Sequence, residues 1–285
     1  MTVESLDNQL RELVIFIAGH LNLPAIAEVV LPEHMLSSSE SDAKHDKFGL
    51  VVLEDGNAGF FYRLLNVQPE RIEDYRAMAI SATGLPITSM LDNLNSNDLF
   101  ERALGFGVIN AATAATFQRT GFMPPEKVQN SSSEARRIGM IGYFREQARQ
   151  LVASGNTVCV LEINEKIVDE VHQHQPAGIS ASTNPASLSQ CDVIFCTAST
   201  LINGTLDSLL DSLDNNIPIE LVGPSAGCFP DPLFKRGISD IGGSLVTDID
   251  TVIDRIRSGQ PWRDSVRKYT LTKDSYPGIK KLISA

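Results

Sequence analysis

The sequence lacks any apolar run approaching the roughly 18 residues of a membrane span. The nearest stretch, "LVIFIAGHLNLPAIAEVVL" (13–31), is interrupted by Gly19, His20, Asn22, Pro24 and Glu28. The N-terminus is acidic and helix-like, without the basic start of a signal peptide, so a cytoplasmic chain with no membrane partner is expected. Positive charge is also scarce. Lys and Arg number 24 against 35 Asp and Glu, giving a net charge of −11. A chain of that sign repels phosphate backbones, so no nucleic acid partner is expected. The basic residues near the C-terminus, from Arg263 to Lys281, are interrupted by Asp264 and Asp274 and read as solvated surface. Cysteines are few (159, 191, 196 and 228) and no two share CxxC spacing. That spacing supports neither a zinc knuckle nor a redox motif, and Cys159 and Cys196 lie in apolar runs, so the thiols read as buried and reduced. His172 and His174 stand at i and i+2, which do not share a helix face, and His20, His34 and His45 are isolated. No metal site is expected from them. There is no internal repeat.

What is present divides in two. The Pro-, Ser- and charge-rich stretch "MPPEKVQNSSSEARR" (123–137) reads as a linker between a first domain over 1–123 and a second over 134–285. The first half has an α+β pattern. A helix is predicted over 4–19 from the stripe Leu6, Leu10, Leu13, Val14 and Ile17. The polar stretch 37–47 reads as an exposed loop. "FGLVVLEDGNAGFFYRLL" predicts a β-hairpin turning at Asp55-Gly56-Asn57. Helices follow in "PERIEDYRAMAIS", "PITSMLDNL" and "SNDLFERALGFGVINAATAATFQR", the last capped by Asn97 or Asp98. In the second half strands and helices alternate: "RIGMIG", "TVCVLEI", "AGISAS", "DVIFCTA" and "PIELVG" are strands. Their apolar character on both faces predicts a parallel sheet covered on each side, a Rossmann-like α/β domain.

The first of these strands runs into Gly142, which invites a dinucleotide reading. That loop needs G-x-G-x-x-G, the second glycine letting backbone approach the pyrophosphate. With Gly142 first, the second position is Phe144 and the third Gln147; with Gly142 third, the first is Arg137. Neither register works, so no NAD or FAD is expected in the usual mode. The helix after Gly142 can still present free N–H groups to an anion. Glu162 ends the second strand, 20 residues on, where a carboxylate can accept from ligand hydroxyls. Tyr143 and Phe144 form an aromatic pair suited to a ring or to packing.

The fourth strand ends in "CTASTLINGT", where Thr197, Ser199, Thr200, Asn203 and Thr205 can hydrogen-bond a ligand or cap the next helix. The fifth ends in "GPSAG" (223–227), matching G-x-S-x-G. A serine-hydrolase reading is rejected because Cys228-Phe229-Pro230-Asp231-Pro232 should not continue a helix and no histidine follows His174. Ser225 reads instead as a loop residue facing the same cleft.

Taken in order, "FERALGFGVINAAT", "IGMIGYF", "VCVLEIN", "TASTLINGTLDSLL", "LVGPSAG" with "PDPLFKRGI", and "GGSLVTDID" resemble the "putative heavy-metal chelation" domain family over nearly the whole chain. The resemblance implies an enolase N-terminal-like α+β domain followed by a Rossmann-like parallel-sheet domain, with a ligand cleft between them. By motif, Asn110, Gly142, Tyr143, Phe144, Glu162, Thr197, Ser199, Thr200, Asn203, Thr205, Gly223, Pro224 and Ser225 would line it. The implied partner is a pterin-, flavin- or siderophore-like metabolite, or a metal chelate. Three readings stay open. The first is a condensing or hydrolytic enzyme with Glu162 as general base or hydroxyl-binding acid. The second is a non-catalytic chelate binder. The third is an S-adenosylmethionine-dependent methyltransferase, against which Phe144 counts. The sequence names no cofactor and leaves a homo-oligomer open.

Overall fold

Helix α1 (Leu6–Leu21) starts where the Ser5 hydroxyl accepts from the Asn8 N–H and stops at Asn22, whose φ of 49° only a few residue types tolerate. It buries Leu6, Leu10, Val14 and Ile17. The computed structural model of the chain describes residues 4–33, 47–63, 68–127, 135–174, 177–213 and 216–284. His34, His45 and nearly all of the polar stretch 37–47 lie outside the described residues, as do 128–134 of the linker stretch.

Strands β1 (Ile26–Val30), β2 (Phe48–Leu53) and β3 (Ala58–Tyr62) form an antiparallel sheet in the order β1-β2-β3. The β2–β3 hairpin turns through Asp55-Gly56-Asn57, with Gly56 at φ 82° and the Asp55 carboxylate accepting from Asn57 N. Helices α2 (Ile72–Ser81) and α3 (Leu99–Arg119) follow. Asp98 caps α3, accepting from the N–H groups of Phe100 and Glu101 at 2.8 and 3.2 Å. Between them the predicted helix in "PITSMLDNL" forms over 87–95, as a 3-10 helix. Its Pro86 start and apolar residues at 87, 90, 91 and 94 suit a tight helix lying on α3 and α1. Helix α3 is buried along almost its whole length. Gly59 lets it lie on β3: a Cβ there would collide with the backbone of Gly107, Asn110 and Ala111.

The second sheet has seven strands: β4 (Arg137–Ile141), β5 (Thr157–Leu161), β6 (Ile179–Ser182), β7 (Val193–Thr197), β8 (Ile219–Val222), β9 (Asp240–Val246) and β10 (Val266–Thr272). Their spatial order is β10-β9-β8-β7-β4-β5-β6, all parallel except β10, which pairs antiparallel with β9. The parallel strands follow the doubly wound order of a Rossmann-like domain. Helices α4 (Arg145–Ala153), α5 (Glu165–His174), α6 (Ser199–Ile202), α7 (Leu206–Ser212), α8 (Pro230–Lys235), α9 (Ile249–Arg257) and α10 (Ile279–Leu282) connect and cover them. The start of the linker stretch is ordered: Lys127 N donates to Lys268 O and Thr270 N to Pro125 O, so 125–127 line the free edge of β10. One apolar core runs through both halves, from Leu10, Phe61 and Phe106 to Cys196, Leu221 and Tyr269.

Candidate functional site at the strand ends

The chain enters the parallel sheet at β4, winds outward through β5 and β6, then returns to lay β7 on the other side of β4. The connections leaving β4 and β7 therefore diverge, which makes their carboxyl ends the switch point where open α/β sheets form a ligand crevice. Register fixes what stands there. Ile141 pairs with Leu161 on one side and Cys196 on the other, and Thr197 pairs with Val222. The residues that follow these pairs, or close them, are Glu162, Gly142, Thr197 and Gly223. They form one row across four adjacent strand ends.

Each member of the row has a local cause. Gly142 has φ 83°, donates to Leu161 O at 2.9 Å, and leaves room that a Cβ would take from the Thr197 methyl, only 2.9 Å away. The half-buried Glu162 carboxylate accepts from Tyr143 N at 3.3 Å and Asn164 N at 3.2 Å, so it ties the turn after β4 to the turn after β5. Phe144 N points at the Met140 sulfur, 3.3 Å away. The N–H groups leading into α4 are thus partly taken, and a carboxylate of the protein itself occupies the place where an external anion is expected. The Tyr143 and Phe144 rings pack on Met140, Ala148, Val160, Val168 and their neighbours on the outer face of the same sheet. The Arg145 guanidinium stands 5.9 Å from the Tyr143 ring and pairs with Glu170.

At the end of β7 the Thr197 and Ser199 hydroxyls lie 3.2 Å apart, and Thr197 Oγ1 also accepts from Ser199 N. Thr200 is buried and donates back to Thr197 O at 2.7 Å. Asn203 and Thr205 close the turn between α6 and α7: Asn203 Oδ1 accepts from the N–H and the hydroxyl of Thr205. Gly223, at φ 130°, leads into a 3-10 turn over Pro224–Ala226. Helix α8 then begins at Pro230, because proline is tolerated in a first turn where its missing N–H is not needed. The segment rejected as a helix above therefore starts one, although Ser225 sits in the 3-10 turn, buried, rather than at a strand-to-helix elbow.

Asn110 is the point where the two halves meet. From the middle of α3 its Nδ2 donates to Phe60 O on β3 at 2.7 Å and to Ser225 O at 3.1 Å. Its Oδ1 and the Ser225 hydroxyl are buried with no hydrogen-bond partner among the described residues. The expected residues thus separate into the row at the strand ends, the turn built by Thr200, Asn203 and Thr205, and the buried Asn110–Ser225 junction.

Sequence reasoning missed Arg102. It lies buried on α3 and donates to Ile202 O (2.6 Å), Leu201 O (3.1 Å), Leu94 O and Asp7 Oδ2 (2.8 Å). It clamps the end of α6, the helix that carries Ser199 and Thr200, onto the N-terminal half. An arginine heading the apolar run "RALGFGVI" was the available signal. Beside it Asp207 accepts from Leu6 N and pairs with Arg236. Burial, and then Asp207, push the Asp7 carboxyl above its ordinary range, against the pull of Arg102. Among the described residues, no group of three or more His, Cys, Asp or Glu side chains gathers to hold a metal ion.

Fold and strand-end geometry define a Rossmann-like α/β protein joined to an antiparallel α+β half. The family described as "Putative heavy-metal chelation" (DUF364) matches residues 127–273, and the chain belongs to that family. An uncharacterised protein of Methanocaldococcus jannaschii is 27% identical over 261 residues, 84% of this chain and 93% of that one. Two crystal structures of family members of unknown function share the fold. The Desulfitobacterium hafniense protein aligns with TM-score 0.64 and 18% identity, over 93% of this chain and 99% of its own. The Pyrococcus horikoshii protein aligns with TM-score 0.63 and 20% identity, over 94% and 99%.

Proposed function

We propose that the chain binds a small ring-bearing metabolite (pterin-, flavin- or siderophore-like, free or as a metal chelate) in the crevice beyond β4 and β7. The observation that carries this reading is the row Glu162, Gly142, Thr197 and Gly223 at the topological switch point. Two carboxylate oxygens on Glu162 suit two adjacent donors: the hydroxyls of a catechol or ribityl chain, or the amino group and ring N–H of a pterin. Ile163, next in sequence and 75% exposed, offers apolar surface for the face of a ring. Thr197 and Ser199 bond mainly to each other, so their hydroxyls can turn to a ligand at small cost. The carboxylate at the head of α4 opposes a phosphate, which favours uncharged rings over nucleotides. A metal, in this reading, arrives as cargo held by its own chelator.

A second reading, condensation or hydrolysis with Glu162 as general base, rests on Glu162 being the ionisable side chain in that row. One experiment addresses both. Thermal shift and calorimetry are run with a pterin, riboflavin, a ferric catecholate and S-adenosylmethionine. Stabilisation by one of the first three is expected. For the pterin or riboflavin, affinity should fall about ten-fold or more in Glu162→Gln and Thr197→Val, whereas the ferric catecholate, whose oxygens are metal-bound and carry no proton, should weaken in Thr197→Val alone. Stabilisation by S-adenosylmethionine alone would reverse the ranking. If a bound probe is turned over, Glu162→Gln should stop turnover; a variant working at full rate ends the catalytic role of Glu162.

A further inference from the structure

Two of the four cysteines meet away from the crevice, on one face of the parallel sheet. Cys159 lies in β5 in register with Gly139 of β4, and the Cys191 sulfur stands 3.3 Å from where a Cβ of Gly139 would be. The glycine, with no side chain of its own, leaves space on that face for both thiols. The 3-10 turn Pro185–Leu188 covers them: the Leu188 side chain closes over Gly139, and the Cys159 thiol donates to Ser187 O at 3.4 Å. The Ser187 hydroxyl, buried and otherwise without a partner, and the Ser180 hydroxyl stand beside the Cys159 sulfur. The hydrogen bond from Cys191 first, then these hydroxyls and the nearby Arg137 guanidinium, pull the Cys159 thiol well below the ordinary range. Its partner is pushed up in return. The other two thiols differ. Cys196 and Cys228 are buried in the apolar core, and burial pushes both up to about 12.

We propose that Cys159 and Cys191 are an oxidisable dithiol that a hydroperoxide converts to an intrachain disulfide linking β5 to the segment before β7. The Cys159 thiolate attacks the outer oxygen of the hydroperoxide. An S–O bond forms, the O–O bond breaks, and the departing alkoxide or hydroxide takes up a proton. The Cys191 sulfur then attacks the resulting sulfenic acid. The S–S bond forms, the S–O bond breaks, and hydroxide leaves with the Cys191 proton as water. Two electrons pass from the dithiol to the peroxide. A thiol reductant reverses the change. The inference does not depend on what the crevice binds.

The test is mild hydrogen peroxide treatment of the full chain, followed by thiol counting, intact mass and peptide mapping without reductant. Free thiols are expected to fall from four to two. The mass should drop by about 2 Da, and one cross-linked peptide pair should contain Cys159 and Cys191, all reversed by dithiothreitol. Cys191→Ser should leave a Cys159 sulfenic acid that dimedone traps, while Cys196→Ser and Cys228→Ser leave the cross-link intact. The unmutated protein supplies an independent reading: at about pH 6, Cys159 should alkylate at least ten-fold faster than Cys196 and Cys228. Equal rates at the other two thiols, or oxidation of Cys159 to sulfinic acid with Cys191 present and no cross-link, would overturn the proposal.

Discussion

Asn110 shows how a single side chain can join two halves of a chain. Its amide donates to carbonyls of Phe60 and Ser225, 50 and 115 residues away in sequence. Asn110→Leu would leave two buried carbonyls without a donor, a loss expected to cost about 1–3 kcal/mol per group. Urea unfolding with an unchanged m-value would measure it. Only the family resemblance pointed to Asn110, and its partners lie beyond any local pattern. Glu162 was more legible, because strand length and the spacing from Gly142 placed it at a strand end. What the spacing could not carry is that its carboxylate turns inward to two backbone N–H groups. The cap of α3 was legible as one of two residues, Asn97 or Asp98, because a short polar side chain before an apolar run caps a helix, and the structure selects Asp98. Asp98→Ala is expected to cost about 0.5–2 kcal/mol, read in the same assay.

Elements with a strong period were readable, and elements defined by close approach were not. The β2–β3 hairpin, α1, α3 and the alternation from β4 to β8 follow from turn residues and apolar spacing. The antiparallel strand β10 escaped, because "VRKYTLT" alternates buried and half-exposed positions and gains its place from β9 and from residues 125–127 on its other edge. The helix over 87–95 was readable, but its apolar spacing does not tell a 3-10 helix from an α-helix. Contact between β3 and α3 depends on Gly59, which composition alone does not distinguish from a turn glycine. Gly59→Ala must push helix and strand apart, and a loss of about 1–3 kcal/mol or more is expected from chemical denaturation. A result within error of zero would mean that the two elements do not lie as close as described.

Across the whole molecule, a shared apolar core and the Arg102 clamp hold the two halves together. Arg102 fastens α1, the 3-10 segment ending near Leu94 and the end of α6 with one guanidinium. Arg102→Met would leave the half-buried Asp7 beside Asp207 without its cation and would remove the guanidinium donors to Ile202 O and Leu94 O, an expected loss of about 2–4 kcal/mol. Asp7 also sets a sign for pH. Its carboxyl is raised in the folded state, so the folded chain holds that proton more tightly than the unfolded one. Its contribution to stability is therefore full at low pH and declines as pH rises through the raised value. Asp7→Asn should flatten that part of the stability–pH profile. Such long-range pairings explain why composition and charge do not reveal the clamp. The central claim is that a ligand sits at the ends of β4, β5 and β7. Hydrogen exchange on the full chain, with and without whichever of the pterin, riboflavin or ferric catecholate stabilises it, tests this most directly. The expected result is protection of backbone amides in 142–146, 162–164 and 197–204. Protection confined instead to the surface cavity of about 290 Å³ lined by Arg71, Tyr75 and Asp98, with the strand ends unchanged, would contradict it.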